Sequence, residues 1–355
     1  MHENIYRKLA DHLDKLPGGF APSHTGAELR LLRRLFTPEE AELAVHLTLN
    51  REEARIIADR AVLPYVETEK RLAEMALKGL IFSIHPEDGS PLYLAAPFVI
   101  GIYEFQVNKL SQDLIRDLDD YWSTQKRRRP VRTIPQMRII PINQSIEPHL
   151  EAFPYDMVRE LIKSQDRYAV APCICRLSAK MEGNGCDAIE EACLMFGDWA
   201  DFYVRGGMGR YIDRAEVLEI LARADADNLV LQPTNSRDVA AICCCCSCCC
   251  GILQSIQRHP RPAEIVASSF IVTLEPETCV ACGVCMDRCR MQAFTMGDGA
   301  VILNSDRCIG CGLCVTTCPV GALTLLRKPG SSEIEIPADM DSTWRKISRD
   351  QAEAL

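Results

Sequence analysis

Two stretches near the C-terminal end, Cys279-Val-Ala-Cys282-Gly-Val-Cys285-Met-Asp-Arg-Cys289 and Cys308-Ile-Gly-Cys311-Gly-Leu-Cys314-Val-Thr-Thr-Cys318, share the spacing C-x2-C-x2-C-x3-C. The offset from 279 to 308 and from 289 to 318 is the same 29 residues, and it also pairs Gly283 with Gly312 and MQAFTM (291–296) with VGALTL (320–325). Self-similarity at a fixed period marks a duplicated structural unit. Three thiolates on a tight loop can bind three irons of one cubane, and the fourth cysteine opens a short helix aimed at the other half of the repeat.

Over roughly residues 270–328 the pattern resembles the bacterial two-cluster [4Fe-4S] ferredoxin. The resemblance implies that Cys279, Cys282, Cys285 and Cys318 hold one cluster and Cys308, Cys311, Cys314 and Cys289 the other, each fourth cysteine serving the opposite cluster. Pro319 follows Cys318 as the family pattern asks, but Arg290 stands after Cys289. A cation there would favour the reduced form of a nearby cluster and set the two potentials apart. Zinc knuckles are satisfied by four cysteines each and leave the doubled run unexplained.

The chain has 355 residues, room for two or three domains, and a formal net charge of -9. That charge argues against a general nucleic-acid binder, which needs a basic face. Charged residues interrupt every apolar run of the N-terminal MHENIYRKLADHLDKLPGGF, and no run of about eighteen apolar residues occurs later. The expectation is a cytoplasmic protein with no membrane insertion. Nineteen cysteines then point to metal rather than disulfides, and an exposed thiol surface to a reducing, anaerobic setting.

Eleven cysteines remain, all between 173 and 250: Cys173 and Cys175 in PCICR, Cys186 and Cys193 in GNGCDAIEEACLMFGD, and seven in the eight residues 243–250. Glycine or proline lies beside each group, and such loops let backbone amides approach a cluster. Fully extended, the run would offer Cys244, Cys246, Cys248 and Cys250 on one face and Cys243, Cys245 and Cys249 on the other. No single four-iron cluster uses all seven. Two further cubanes with three cysteines over, one larger cluster, and some buried spectators all remain open. The ligand set expected for a further cluster is Cys173, Cys175, Cys186, Cys193, Cys245, Cys246, Cys248 and Cys249. CICR (173–176), CLMFGD (193–198), LVLQPTN (229–235) and the cysteine-packed stretch, ahead of the paired motifs, also resemble a family of large 4Fe-4S ferredoxin-type proteins of anaerobes.

The rest of this region reads as helical scaffold, with helical spacing over 155–165 and a capping box at Asp213 and Glu216 opening a helix through Leu221. GGMG (206–209) reads as a turn, and His149 and His259 as surface or capping residues. In the N-terminal third, Thr37-Pro38-Glu39-Glu40 and Asn50 with Glu53 read as helix starts, a third helix is expected at 67–79, and LIFSI (80–84) and PLYLA (91–95) as a hairpin. Three helices and a hairpin resemble a winged-helix domain. Its third helix balances Glu67, Glu69 and Glu74 against Lys70, Arg71 and Lys78, which favours protein docking over DNA. KRRRPVRTIPQMR (126–138) has six cations and no acid, in a stretch punctuated by Pro130, Pro135, Pro141 and Pro148.

The expected fold is therefore α+β: a mainly helical winged-helix-like domain (1–122), a Pro/Arg-rich linker (123–150), a cysteine-rich α-helical iron–sulfur domain (151–268), a 2[4Fe-4S] ferredoxin domain (269–328) and a tail (329–355). The expected function is that of an electron carrier or oxidoreductase subunit more than of a self-contained enzyme, and whether the chain is itself an enzyme stays open at this point. It would hold two [4Fe-4S] clusters and one or two more, and serve a partner oxidoreductase or redox protein. The alternative is a redox- or oxygen-sensing regulator that reads DNA through the winged helix.

Overall fold

A capping signal sets where the helix Pro38–Ala44 begins. Thr37 accepts the Glu40 amide and Glu40 accepts the Thr37 amide, a complete capping box with Pro38 in the first turn. The computed structural model describes residues 2–125, 134–142, 156–331 and 335–353. Their order begins α1 (His2–Asp14), α2 (Ala27–Leu35), α3 (Pro38–Ala44), β1 (Glu52–Glu53), α4 (Ala54–Ala61), α5 (Tyr65–Leu77), β2 (Phe82–Ile84), β3 (Leu92–Leu94) and α6 (Gln112–Gln125). Next come α7 (Val158–Lys163), β4 (Tyr168–Pro172), α8 (Ile174–Met181), β5 (Glu191–Phe196), α9 (Gly197–Arg205), β6 (Arg210–Ile212), α10 (Arg214–Ala226), β7 (Val230–Pro233) and β8 (Ala241–Cys245). The chain continues with α11 (Gly251–Arg258), α12 (Pro262–Ile265), β9 (Phe270–Leu274), α13 (Val284–Arg288), β10 (Phe294–Met296), β11 (Val301–Leu303), β12 (Leu323–Arg327) and α14 (Met340–Glu353). Two compact units result, one of Met1–Gln136, Asp198–Arg210 and Asp341–Leu355, the other of Met137–Gly197 and Tyr211–Met340.

In the first unit, β2 and β3 form the expected hairpin, with Phe82 opposite Leu94 and Ile84 opposite Leu92. A third strand joins it in the order β1-β3-β2. The helix start expected at Asn50 is displaced by this strand. Glu52 and Glu53 pair with Tyr93 and Leu92, and α4 begins only at Ala54. Glu52 is held by Thr48 and Arg60, which fixes the strand conformation. Phe82, Phe105, Trp199 and Phe202 make an aromatic core, with Phe82 and Phe202 ring centres 4.5 Å apart. Arg51 forks to Asp198 and Asp341 at 2.9 and 2.6 Å, and the buried Trp344 donates to Gln136 at 2.9 Å. The C-terminal helix is thus part of a core rather than a free tail. Most of the basic stretch, with Pro130, Pro148 and His149, lies outside the described residues.

The second unit corrects the expectation of an α-helical central domain. Its frame is a five-stranded sheet in the order β6-β4-β5-β8-β7, in which β4, β5, β8 and β7 pair antiparallel in turn. The strands come from YAVAP, EACLMF, VLQP and AICCC, short apolar runs whose periodicity does not separate strand from helix. The local helix signals hold: Asp213 accepts the Glu216 amide at the start of α10, and α7 occupies Val158–Lys163 within the helical spacing of 155–165. Met291, Ile309 and Leu313 of the ferredoxin-like segment belong to the same buried core as the sheet, so the two cysteine-rich stretches pack as one body.

The 29-residue repeat extends to the backbone. Gly283 and Gly312 have φ of 79° and 73°, Ala281 and Gly310 have 52° and 70°, and Gln292 and Gly321 have 54° and 67°. The first half thus carries two side chains in a left-handed conformation where the second half has glycine. At Gly310 an added methyl would run into the Phe270 carbonyl. We expect Gly310→Ala to destabilise the second unit by at least about 2 kcal/mol, and Ala281→Gly to be neutral or to stabilise by up to about 1 kcal/mol. Thermal unfolding midpoints and iron retention of the two variants provide the check.

Candidate metal centres

The ferredoxin-like cysteines fall into two neighbourhoods that cross the repeat. Cys279, Cys282, Cys285 and Cys318 line one apolar cavity with Leu274, Val284, Val301 and Leu323. Burial raises the Cys285 thiol, and Cys279, Cys282 and Cys318 are the charges that reach it. Cys311 is pushed up to about 12 by burial, with Cys289 and Cys308 as its charged neighbours. Cys314 is driven up by burial and by Cys311, Cys308 and Cys289. Thiols so buried ionise at neutral pH only when a cation takes the proton's place, which suits a metal-binding donor set. Backbone N–H groups of Ala281, Ala293 and Val272 donate to the sulfurs of Cys279, Cys289 and Cys308 at 3.4, 3.2 and 3.5 Å. Such bonds favour a cluster's more negative state.

Residues 271–330 match the family model of the 4Fe-4S dicluster domain. This match marks an iron–sulfur protein. Comparisons with curated proteins and with solved structures give no match.

Cys289 and Cys311 pack against the central core, whereas Cys282, in the other neighbourhood, is exposed. Arg288 and Arg290 fasten this side. Arg288 meets Asp225 at 2.6 Å, and Arg290 donates to the carbonyls of Asn228 and Asp227 at 2.8 and 3.3 Å. These groups lie at the C-terminal end of α10, where a helix carries partial negative charge. Arg290, expected from the sequence to tune a cluster, has its guanidinium turned to that helix end.

The eight cysteines named from the sequence for a further centre are not all brought to one place. The eleven central cysteines divide into six, four and one. On β5 and β8, Cys193 and Cys243 are directly opposite each other, and the cross-strand row reads Ala171, Cys193, Cys243, Gln232. Side chains alternate along a strand, so Cys245 shares this face while Cys244 points into the apolar side. Cys244 is 1% exposed, and burial pushes it up to about 12. A register shift between Ala171 and Pro172 brings Cys173 to the end of β4, and α8 begins directly after it. Through Cys173, Cys175, Cys250, Cys245, Cys243 and Cys193 each thiol shifts the ionisation of the next, so the six make a closed ring of neighbours. The sequence reading omitted Cys243 and Cys250 from the ligand set. The alternation of Cys243 with Cys245 was the available signal; for Cys250 there was none beyond Gly251 opening α11.

Within the ring Cys173 is held well below the usual thiol range, first by hydrogen bonds from Cys175 and Cys193, then by Arg176. Arg176 is fully buried and donates to the carbonyls of Ile189 and Cys244 at 2.8 and 2.6 Å. Burial opposes its charge, but Cys173, Cys246 and Cys245 hold it firmly protonated. A guanidinium sealed among thiols calls for anionic sulfur around it.

The remaining four are Cys186, Cys246, Cys248 and Cys249, whose sulfurs all lie within 4.8 Å of one another. The chain leaves β8 and turns, with the Cys250 amide donating to the Cys246 carbonyl at 3.2 Å. Extended alternation, expected across 243–250, therefore stops at Cys245. Burial works against ionising Cys186, yet the Ala188 amide and the Cys248, Cys246 and Cys249 thiols bring it down to about 7. Cys248, although exposed, is pushed up to about 11 by desolvation and by Cys246. In reduced, metal-free protein we expect iodoacetamide to label Cys186 ahead of Cys248, with a rate that rises as pH passes about 7; peptide mapping at pH 6 and 8 reads the order.

Proposed function

We propose that the chain is an electron-transfer protein that relays electrons to or from a partner oxidoreductase. Cys279, Cys282, Cys285 and Cys318 would hold one [4Fe-4S] cluster, Cys308, Cys311, Cys314 and Cys289 a second, and the six-cysteine ring a further polynuclear iron–sulfur centre. Bound there, each centre supplies one-electron transfer. The observation that carries the proposal is the packing of Cys289 and Cys311 against the core that contains the ring. The exposed Cys282 lies at the opposite neighbourhood, where a partner has access. The chain's own part is to bury the ring, to aim backbone amides at sulfur and to compensate charge through Arg176. Iron and acid-labile sulfide per chain, measured anaerobically with EPR of the reduced state, test this. About eight irons, the content of the ferredoxin pair alone, would overturn a central centre.

The first unit supports a winged-helix-like reading through its order of α3, β1, α4, α5 and hairpin. Protein docking suits it better than DNA. On α5, Arg71 pairs with Glu67 at 2.7 Å, and beyond its end Lys78 pairs with Glu40 at 2.5 Å, while Val62 and Val66 are exposed. A regulator would bind duplex DNA with an affinity that falls steeply with salt; a gel shift at low and high salt distinguishes the readings, and binding would favour the regulator.

Arg176 provides a sharper check on the ring. Replacing it by Met removes a buried cation while keeping its volume, so the reduced centre loses stabilisation. We expect Arg176→Met to lower the potential of the central centre by about 60 mV, about 1.4 kcal/mol for one electron, with the ferredoxin potentials unchanged in redox titration.

A further inference from the structure

We propose that Cys186, Cys246, Cys248 and Cys249 bind a single metal ion in a tetrahedral tetrathiolate site, separate from the iron–sulfur clusters. The sulfur of Cys186 lies 3.7 Å from that of Cys246 and 3.8 Å from that of Cys249, and Cys249 is 3.8 Å from Cys248. Four thiolates around one zinc ion at about 2.3 Å are separated by about 3.8 Å along each edge of the tetrahedron. The three distances therefore match one central ion. In a cubane each thiolate binds a different iron, so its four sulfurs stand farther apart. Among the described residues, the ferredoxin-like cysteines are not drawn into such a group.

The local fold explains why the four converge. Cys246, Cys248 and Cys249 occupy one turn between the end of β8 and the start of α11, and Cys186 comes from the loop that follows α8. Three ligands on a tight turn and one from a separate loop make a closed site, the pattern of a structural ion without an open position. Four thiolates around a divalent ion leave a net charge of two minus. The buried Arg176, whose charge faces Cys246, offsets part of it. Zinc and iron both suit tetrahedral sulfur, and the two differ in what elemental analysis finds.

The test compares the anaerobically purified full chain with Cys248→Ser and Cys243→Ser. Cys248 is the most accessible of the four, so its substitution disturbs packing least. We expect Cys248→Ser to lose about one metal ion per chain, zinc or iron, with acid-labile sulfide unchanged. Loss of iron together with sulfide would overturn the proposal in favour of a cluster, and unchanged metal content would overturn it outright. Cys243→Ser, in the ring, should lose iron and sulfide together, so failure of the ring reading and failure of this one are told apart. Should Cys248→Ser not fold, X-ray absorption of the unaltered chain decides for zinc. A shell of sulfur at about 2.3 Å with no metal–metal scattering is expected, and absence of zinc sends the question to Mössbauer spectroscopy. There a mononuclear ferrous or ferric component supports the site, and iron wholly in clusters overturns it.

Discussion

The register between β5 and β8 holds the second unit's chemistry in place. Cys193 opposite Cys243 puts two thiols on one face of the sheet, and Ile242 and Leu194 pair on the other. A slip of one residue would send Cys243 and Cys245 into the apolar core and bring Cys244 out. Val170, Leu194, Leu231 and Ile242, all nearly inaccessible, resist that slip because each would have to leave the core. Hydrophobic burial on one side of the sheet thereby fixes sulfur positions on the other.

The same economy of elements recurs where the ferredoxin-like segment meets the sheet. Helix α10 is capped at its start by Asp213 and receives Arg288 and Arg290 at its end. A cation that departs from the proline of the family pattern thus becomes a fastening between two cysteine-rich stretches. Arg307 adds to it, donating to the carbonyls of Met291 and Gln257 at 2.7 and 2.9 Å.

The doubled cysteine run was legible because its spacing is rigidly tied to cluster chemistry, and the capping box at Thr37 and the N-cap at Asp213 because a side chain and an amide three residues away are local. The central sheet was not legible. Runs such as Tyr168–Pro172 and Val230–Pro233 are covered on both faces, so no alternation reveals them as strands. The grouping of the eleven cysteines depended on that sheet. Cys193 and Cys243 are 50 positions apart in sequence and adjacent in space, and only strand pairing relates them. In the first unit, Glu52 and Glu53 look like a helix start until the hairpin claims them.

The order of cysteines in the 243–250 run links the two groups. Ring and quartet cysteines are nested along it: Cys243 and Cys245 belong to the ring, Cys246, Cys248 and Cys249 to the quartet, and Cys250 to the ring again. The quartet thus lies between two ring cysteines, and an ion bound there would set the separation of Cys245 and Cys250. The two sites are therefore coupled through one stretch of backbone, and a change of ion in the quartet would be felt as a change of spacing in the ring.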